Sequence, residues 1–287
     1  MELAVATTTN FLILSSMYIL VALGFAFLFN MLRILNLAHG AIYMVGGYIG
    51  LAFILMLGIN QWVALLLTTL IIATFGIFLE RFTFRPFVGD FNRVVMVCVA
   101  IAVILQTAVN IIAGTKTLAL PPFVEGVFRA GTFSVSYERM VTFAIGAILL
   151  GAVIWFVNRT KWGQQMQAIA QDTEGAYLQG INVHRISALA SFIGCGLAAL
   201  AGCLMGAYLR LSPYMGDLML IKALILVIMA GIGSISGVLI AGLILGALDA
   251  ALPVLVPGAA SDAITVGIVI VILLIRPQGF FGYEMEI

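Results

Sequence analysis

Charged side chains are scarce in this chain of 287 residues: Asp, Glu, Lys and Arg together make up 9% of it. The formal net charge is only +1, and no basic surface of the kind that binds nucleic acid is evident. Hydrophobic residues account for 63% of the chain, and the mean hydropathy is +1.21. These values exclude an ordinary soluble domain and indicate a protein embedded in a lipid bilayer.

Residues that carry catalytic or metal chemistry are equally scarce. The three cysteines, Cys98, Cys195 and Cys203, lie inside apolar stretches without CxxC spacing, which predicts packing residues rather than disulfides or metal ligands. The sequence contains no Walker lysine motif, catalytic dyad or cluster of metal ligands. We therefore expect no catalytic residue, no bound cofactor or metal, and no enzymatic activity in this chain.

Long uncharged intervals separate the few charges. A membrane-spanning helix needs roughly 20 apolar residues to cross about 30 Å of hydrocarbon. The interval from Arg33 to Glu80 would be about 69 Å long as one helix, so it must hold two spans. The apolar runs are continuous rather than alternating, which favours helices over a β-barrel. The predicted fold is an all-α integral membrane protein, a polytopic bundle of eight or nine transmembrane helices in a single domain over residues 1–287.

The predicted spans are 10–34, 38–57, 61–79, 94–113, 140–157, 186–209, 218–231, 238–256 and 262–275. The seventh and ninth are only about 20 Å long, so one of them is expected to be a half-helix or a re-entrant segment. No Lys or Arg precedes the first apolar run, which therefore lacks the basic region of a signal peptide and is expected to remain as the first span.

Basic residues predict the orientation of these spans. With nine spans, most of them fall on one side: Arg33, Arg81, Arg85, Arg93, Arg159, Lys161, Arg185 and Arg276. Fewer fall on the other side, where they are mixed with acids: Lys116, Arg129, Arg139 and Arg210. The excess places the 80–93 loop, the 159–185 loop and the C-terminus in the cytoplasm, with the N-terminus outside.

A polar segment, residues 159–185, interrupts the apolar pattern. Apolar residues spaced three and four apart predict one face of a short helix: Met166, Ile169, Ala170, Thr173 and Tyr177. Trp162 and Gly163 are expected to end the extension of the preceding span. Asp172 is expected to cap a further helical turn, and Gly180 to close it in the left-handed conformation.

Two interpretations fit this segment. An amphipathic helix can lie on lipid headgroups, but such helices usually carry a polar face rich in Lys and Arg. Here the polar face holds amides and acids instead: Gln164, Gln165, Gln167, Gln171, Asp172 and Glu174. That composition favours docking to a protein partner over binding to anionic lipid.

The residues from Gly163 to Val183, GQQMQAIAQDTEGAYLQGINV, resemble the coupling loop of permeases in branched-chain amino acid ABC transporters. Those permeases typically read Gly-x-x-x-x-Ala-Ile-x-x-Asp-x-x-x-Ala-x-x-x-Gly-Ile-Asn. Three further stretches are similar to family motifs in the same order: NLAHG at 36–40 with YMVGGY at 43–48, KAL at 222–224 with AGIGSISG at 230–237, and RPQGFFG at 276–282.

This resemblance implies the permease subunit of an importer in the bacterial inner membrane, carrying branched-chain or other neutral amino acids. It implies a second homologous permease subunit, with a heterodimer expected, two cytoplasmic ATPases that bind ATP-Mg, and an extracytoplasmic substrate-binding protein. The family leaves the cargo open among aliphatic and other neutral amino acids, an amide or urea. The residues expected to couple to the ATPases are Gly163, Met166, Ala168, Ile169, Ala170, Asp172, Ala176, Tyr177 and Gly180.

Four residues are candidates for the translocation path: Asn36, His39, Gly40 and Asp249. Asn36 and His39 share a helix face and are expected at the cytoplasmic junction of the first two spans. They either hydrogen-bond the chain reversal in place or line the inner end of the path beside the second permease. Asp249 is the deepest acid, and it is expected to pair with the partner permease or to cap a helix break.

The alternative function, a channel or a proton-coupled secondary transporter, requires buried ionisable relays. The candidates are few: His39, Lys222, Asp249 and Asp262. Lys222 and Asp262 lie near predicted span ends, where snorkelling or contact with water accounts for them. A lone Asp249 is too little for a relay.

A second glycine-rich motif predicts a turn or a broken helix near the cytoplasmic face. It comprises Gly231, Gly233, Ser234, Ser236 and Gly237, and each glycine costs a helix about 1 kcal/mol relative to alanine. The serines are expected to satisfy the freed backbone groups. The alternative is close helix packing through small residues. Glycine-rich stretches at 40–50 and 231–237 would also fit an inverted repeat.

Overall fold

The computed structural model of the protein describes residues 2–32, 35–87, 89–130, 133–231, 234–256 and 258–281, which are almost entirely helical. The helices are α1 (Glu2–Leu32), α2 (His39–Leu57), α3 (Gln61–Leu79), α4 (Phe91–Ala113), α5 (Tyr137–Arg159), α6 (Lys161–Gln171), α7 (Thr173–Leu178), α8 (Val183–Tyr208), α9 (Met215–Ala230), α10 (Ile235–Leu255) and α11 (Ala259–Ile275). Strands β1 (Val127–Ala130) and β2 (Phe133–Ser136) form an antiparallel hairpin. The predicted fold class, a polytopic helical membrane protein, is confirmed.

Seven of the described helices are long and apolar enough to cross a membrane: α1, α2, α3, α4, α5, α8 and α10. Helices α9 and α11 have 16 and 17 residues and are shorter than a full span requires. They occupy the positions of the seventh and ninth predicted spans, the two that the sequence marks as short.

Helix α8 lies at the centre of the bundle and packs against α1, α2 and α3. All of its residues from 194 to 206 are buried. Small residues permit this close packing: a Cβ atom on Gly24 would lie 2.7 Å from the backbone oxygen of Gly194. The three cysteines are free and buried, and the Cys203 thiol donates to the backbone oxygen of Gly46 at 3.2 Å. They are packing residues, as predicted.

The two ends of the bundle can be distinguished by α5, which runs from the β1–β2 hairpin to α6. We call these the hairpin end and the α6–α7 end. Helix α1 starts near the hairpin end, where the Tyr208 hydroxyl donates to Asn10 at 2.9 Å. Helix α10 is antiparallel to α1, because Gly242 lies against Ile19 and Gly246 lies against Ser15. The turn between α9 and α10 therefore lies toward the α6–α7 end.

The hairpin end is held by polar contacts to the backbone. The buried carboxylate of Glu138, in the first turn of α5, accepts from the N–H groups of Phe123 at 2.6 Å and Val124 at 3.2 Å. Leu118 and Leu211 exchange two backbone hydrogen bonds of 2.9 and 2.8 Å, which tie the loop before the hairpin to the segment after α8. These bonds hold the segment between α8 and α9 against the loop that precedes the hairpin.

Candidate functional site

The polar segment begins with a sharp turn at Thr160. The Thr160 hydroxyl donates to the backbone oxygen of Phe156 at 2.6 Å and accepts from the N–H of Gly163 at 3.1 Å. Helix α5 therefore ends at Arg159, and Trp162 and Gly163 lie in the first turn of α6. The prediction that Trp162 and Gly163 end the preceding span was wrong, because the threonine cap stops that helix earlier.

Gly163 allows α6 to fold back directly onto α5. A Cβ atom at this position would collide with the backbone oxygen of Phe156 and lie 2.5 Å from the Cα atom of Val157. The Gln167 amide reaches back as well, donating to the backbone oxygen of Val157 at 3.3 Å. The start of α6 is therefore packed directly on the end of α5, with only Thr160 between the two helices.

Asp172 divides the segment into two helices rather than one. Its backbone is extended (φ −148°, ψ 106°), so α6 stops at Gln171 and α7 starts at Thr173. Its carboxylate accepts from the N–H of Glu174 at 3.0 Å and caps α7. The predicted capping residue is thus in place, but the predicted single helix is interrupted at that residue.

This interruption changes which residues face outward. Met166 and Ile169 of α6 and Ala176 of α7 are buried, whereas Ala168 and Ala170 are half-buried. Thr173 and Tyr177 do not continue the buried face, and Tyr177 is 70% exposed and Leu178 78% exposed. The apolar face predicted for one helix therefore splits, with its first half packed on the bundle and two large side chains at its tip exposed.

The segment ends in a glycine-dependent cap. Gly180 has φ +79°, its N–H bonds the oxygen of Tyr177 at 3.0 Å, and the Ile181 N–H bonds the oxygen of Ala176 at 3.1 Å. This pair of bonds is a Schellman motif, which favours glycine at the left-handed position. The left-handed conformation expected for Gly180 is present, and Asn182 then caps α8 by accepting from the Arg185 N–H at 3.1 Å.

An ion pair between a buried carboxylate and a half-buried arginine, which sequence reasoning missed, joins α3 to the start of α8. Glu80 begins a π-helical turn after α3, and its side chain is 1% exposed. Arg85 donates to its two carboxylate oxygens at 3.1 and 2.7 Å, and to the backbone oxygen of His184 at 3.5 Å. The five-residue spacing is the signal that could have found the pair, because a π turn brings residues i and i+5 together.

The Asn36–Gly40 motif lies inside the bundle. Asn36 and His39 are fully buried, and the Asn36 side chain accepts from the N–H of Ala38 at 3.1 Å. His39 Nε2 lies 3.2 Å from the backbone oxygen of Val21, which can only accept, so Nε2 donates. Val21 is about 16 Å along α1 from its end at Leu32. The motif lies between α1 and α2, the junction that was predicted, but it is not at the end of α1, because the chain turns back along α1 before α2 begins.

Gly40 provides the second contact that holds α2 in this position. Its first-turn backbone touches that of Gly216 in α9, and a Cβ atom on either glycine would collide with the oxygen of the other. Both helices therefore begin inside the bundle. Burial of this motif within one subunit favours the structural interpretation over a path-lining role.

The late glycine motif separates two helices. Helix α9 ends at Ala230, Gly231 has φ +86°, and α10 begins at Ile235; Gly233 lies outside the described residues. The Ser234 hydroxyl accepts from the N–H of Gly237 at 3.0 Å, whereas Ser236 is exposed within α10. The N–H groups of Phe280 and Phe281 bond the oxygens of Met229 and Ala230, so the C-terminal segment completes the end of α9.

Gly237 also supports the alternative interpretation of this motif in part, namely close helix packing through small residues. A Cβ atom at this position would collide with the backbone oxygen of Ala230, the last residue of α9. The motif therefore both interrupts the helix and allows its two sides to pack closely.

Asp249 is paired within the chain. Lys222 Nζ lies 2.5 Å from Asp249 Oδ2, and the Tyr18 hydroxyl donates to the same oxygen at 2.8 Å and accepts from Nζ at 2.9 Å. The Thr265 hydroxyl donates to Asp249 Oδ1 at 3.2 Å. The expectation that Asp249 is a lone acid that pairs with a partner subunit or caps a break was wrong.

The expectation that Lys222 lies near the end of a span was also wrong. Helix α9 begins at Met215 rather than at 218, so Lys222 lies in the middle of the helix instead of near its end. Tyr18 lies halfway along the apolar span Ala6–Phe29 of α1. The pair could have been found from the sequence, because an unpaired charge inside a span is costly and these are opposite charges in neighbouring apolar segments. Asp262 is exposed in the first turn of α11, near a helix end as expected.

Comparisons with known proteins agree with this architecture over nearly the whole chain. Residues 7–274 match the family described as the permease component of the branched-chain amino acid transport system. Two relatives named high-affinity branched-chain amino acid transport system permease proteins, BraD of Pseudomonas aeruginosa and LivH of Escherichia coli, are each 32% identical. Each alignment covers 95% of this chain and 94% of the relative. The solved structure of PsaBC from Streptococcus pneumoniae in complex with Fab has a TM-score of 0.52 at 16% identity, covering 95% of this chain and 92% of its own, which indicates a shared fold.

Proposed function

This chain belongs to the family of branched-chain amino acid transport permease components and is a permease subunit of an ABC importer, and we propose that it carries branched-chain or other neutral amino acids. The proposed location is the bacterial inner membrane, with seven long helices crossing it. The cargo is inferred from the family and from the names of relatives that align over almost their whole length.

The observation that carries the coupling role is the exposed tip of α7. Tyr177 and Leu178 are 70% and 78% exposed at the end of a segment whose polar face carries amides and acids. Large apolar side chains exposed next to each other outside the spans mark a binding surface. We infer that they enter a cleft in a cytoplasmic ATPase, which would bind the ATP-Mg that this chain has no motif to bind.

The packing of α6 on α5 and on the rest of the bundle supports transmission of movement from α7. Gly163 locks the start of α6 against the end of α5, and Met166 and Ile169 pack the helix on the bundle. The segment leads directly into α8, the central helix, whose start is held to α3 through Arg85. Displacement of α7 by an ATPase would therefore move α5 and α8 together. Rocking of such packed helices is how a permease alternates between inward-facing and outward-facing states.

The orientation follows from charge. Arg159, Lys161 and Arg185 flank α6 and α7, and an excess of basic residues marks the cytoplasmic side. The α6–α7 end is therefore proposed to face the cytoplasm, with the N-terminus outside and the C-terminus inside. A substrate-binding protein would dock at the hairpin end, two ATPases at the opposite end, and a second, homologous permease subunit alongside in a heterodimer.

Reconstitution of the transporter in liposomes tests this proposal. The chain would be purified with its partner permease, ATPases and binding protein, and uptake of radiolabelled leucine would be measured with ATP inside the vesicles. We expect uptake that requires both ATP and the binding protein and that unlabelled neutral amino acids compete. Uptake driven by a proton gradient without the ATPases would contradict the proposal and support a secondary transporter. ATP-driven uptake of another class of solute would support the importer role but contradict the proposed cargo.

A further inference from the structure

An ion pair lies at mid-depth in the membrane part of this chain. Lys222 and Asp249 come from α9 and α10, and the middle of the α1 span contributes Tyr18 to the same cluster. The ammonium group also lies over the Tyr18 ring, 4.9 Å from its centroid. Ionisable groups at this depth are costly, and in transport proteins they mark substrate pathways.

Neither side chain of the ion pair is completely buried. The Lys222 side chain is 13% exposed and that of Asp249 is 6% exposed. Within the described residues, Nζ has Asp249 and Tyr18 as acceptors, which leaves one of three ammonium hydrogens available. Asp249 Oδ1 accepts only the 3.2 Å bond from Thr265, so this carboxylate oxygen also has capacity for a second donor.

We propose that Lys222 and Asp249 form a transient site for the zwitterionic head of the transported amino acid. This inference rests on the proposed function, and it deepens it by naming the chemical group that is recognised. Lys222 Nζ would bind the substrate carboxylate, and the Asp249 carboxylate would bind the substrate ammonium group. No proton moves and no covalent bond changes, because each charge exchanges one ionic partner for another.

A zwitterion can enter between the Lys222 ammonium and the Asp249 carboxylate without leaving either charge unpaired. Separating a buried pair is strongly unfavourable when one charge remains uncompensated. A zwitterion supplies one charge of each sign, so both protein charges stay paired in the open and in the occupied state. A simple anion or cation would leave one protein charge unpaired, and an uncharged sugar would compensate neither.

The competing role is purely structural, since the cluster ties α1, α9, α10 and α11 together. The two roles differ in what happens when both charges are removed at once. Replacement of a buried ion pair by apolar residues of similar volume is often neutral or stabilising. A structural tie would therefore tolerate the double change Lys222→Met/Asp249→Leu, whereas a substrate site would not.

The experiment compares this double variant with the wild type in the reconstituted transporter. We expect normal assembly, normal basal ATPase activity and at least about tenfold slower leucine uptake, since two charge-assisted contacts are lost. Glu125→Gln is the control, because it removes an exposed acid outside the membrane-spanning helices and should transport like the wild type. Normal uptake by the assembled double variant would overturn the substrate site while leaving the proposed function intact. Absence of leucine uptake by the wild type would instead refute the proposed function.

If the Lys222→Met/Asp249→Leu variant does not assemble, two further measurements test the site. Lys222→Gln/Asp249→Asn retains hydrogen bonding without charge and should show the same slow uptake. In the wild type, 15N NMR of labelled lysines should show a shift of the Lys222 Nζ signal with saturating leucine. Lys116 is exposed outside the membrane-spanning helices and serves as an internal reference that should not shift. An unshifted Lys222 signal in a complex that transports leucine would overturn the site.

Discussion

The backbones of Gly40 and Gly216 are in direct contact inside the bundle, where the first turns of α2 and α9 meet. This contact fixes two helices that start within the protein rather than at a membrane surface. Such discontinuous helices are common in transporters, which alternate access largely by rocking one bundle of helices against another. The position is therefore both a packing contact and the place where α9 joins the first half of the chain.

Alanine at Gly40 or at Gly216 is expected to destabilise the protein. The added methyl group would collide with backbone atoms, which cannot rotate away as a side chain can, and overpacking of this kind costs about 1–3 kcal/mol or more. Melting temperature in detergent measures the effect. Gly151→Ala is the control, because nothing lies within 4 Å of its added Cβ atom. Equal melting temperatures for all three variants would contradict the contact.

Serine at both Tyr177 and Leu178 is expected to uncouple transport without unfolding the protein. Both side chains are largely exposed, so the subunit loses little packing, whereas an interface loses two large apolar contacts. Substrate-stimulated ATPase activity should fall at least about fivefold, as expected for a loss of more than about 1 kcal/mol. The contrasting variant is Met166→Ala, which removes a buried side chain and should lower the melting temperature instead. Full coupling in the double serine variant would argue against the docking role.

Removal of Arg85 alone is expected to be more harmful than removal of the whole ion pair. Arg85→Met leaves the buried carboxylate of Glu80 without its partner; because the Arg85 side chain is 34% exposed and screened by solvent, the expected cost is about 1–3 kcal/mol, below that of a fully buried pair. The double variant Glu80→Gln/Arg85→Met removes the uncompensated charge and should recover part of that loss. Thermal unfolding of the purified subunits measures both. A double variant no more stable than Arg85→Met would show that the charge pairing is not the cause.

Alanine at His39 is expected to lower stability rather than transport. The imidazole is fully buried and donates to Val21, and its edge packs on Phe25 with ring centroids 5.7 Å apart. Loss of this buried hydrogen bond costs about 1–3 kcal/mol. Yield and melting temperature should fall while uptake per assembled complex stays near the wild-type value. Normal stability with reduced uptake would restore the path-lining interpretation.

The two serines at the start of α10 are expected to differ. Ser234→Ala removes the side chain that caps the N–H of Gly237 and should cost about 0.5–2 kcal/mol. Ser236→Ala changes an exposed position inside the helix and should be nearly neutral. Melting temperatures of the two variants, measured side by side, check the assignment of the cap.

The fold was predictable where the signal is local. Span-length apolar runs give the helices, Asp172 gives a cap, and Gly180 gives a left-handed end, because each depends on a few neighbouring residues. Contacts between distant segments were not predictable from local patterns. The position of His39 beside Val21 joins segments far apart in the chain. The pairing of Lys222 with Asp249 also joins distant segments, and only the cost of an unpaired charge inside a span could have indicated it. Helix periodicity carries no information about such contacts.

The split of the coupling segment at Asp172 shows the same limit at short range. Periodicity placed Met166 and Tyr177 on one face, which holds only if the helix continues through the aspartate. Asp172 was correctly expected to cap a turn, but a cap requires an extended backbone, and that conformation rotates all later residues relative to the earlier ones. The exposed tip at Tyr177 is the result of this rotation.

The pairing of Lys222 with Asp249 also affects how the chain enters the membrane. Lys222 leaves the ribosome before Asp249, and α9 has only 16 residues with a positive charge at its centre. Insertion of such a segment into lipid by itself is unfavourable by about 2.5–3.5 kcal/mol for the lysine alone. Pairing with Asp249 of α10 offsets this cost, so α9 and α10 are more stable in the membrane as an antiparallel pair than as separate helices.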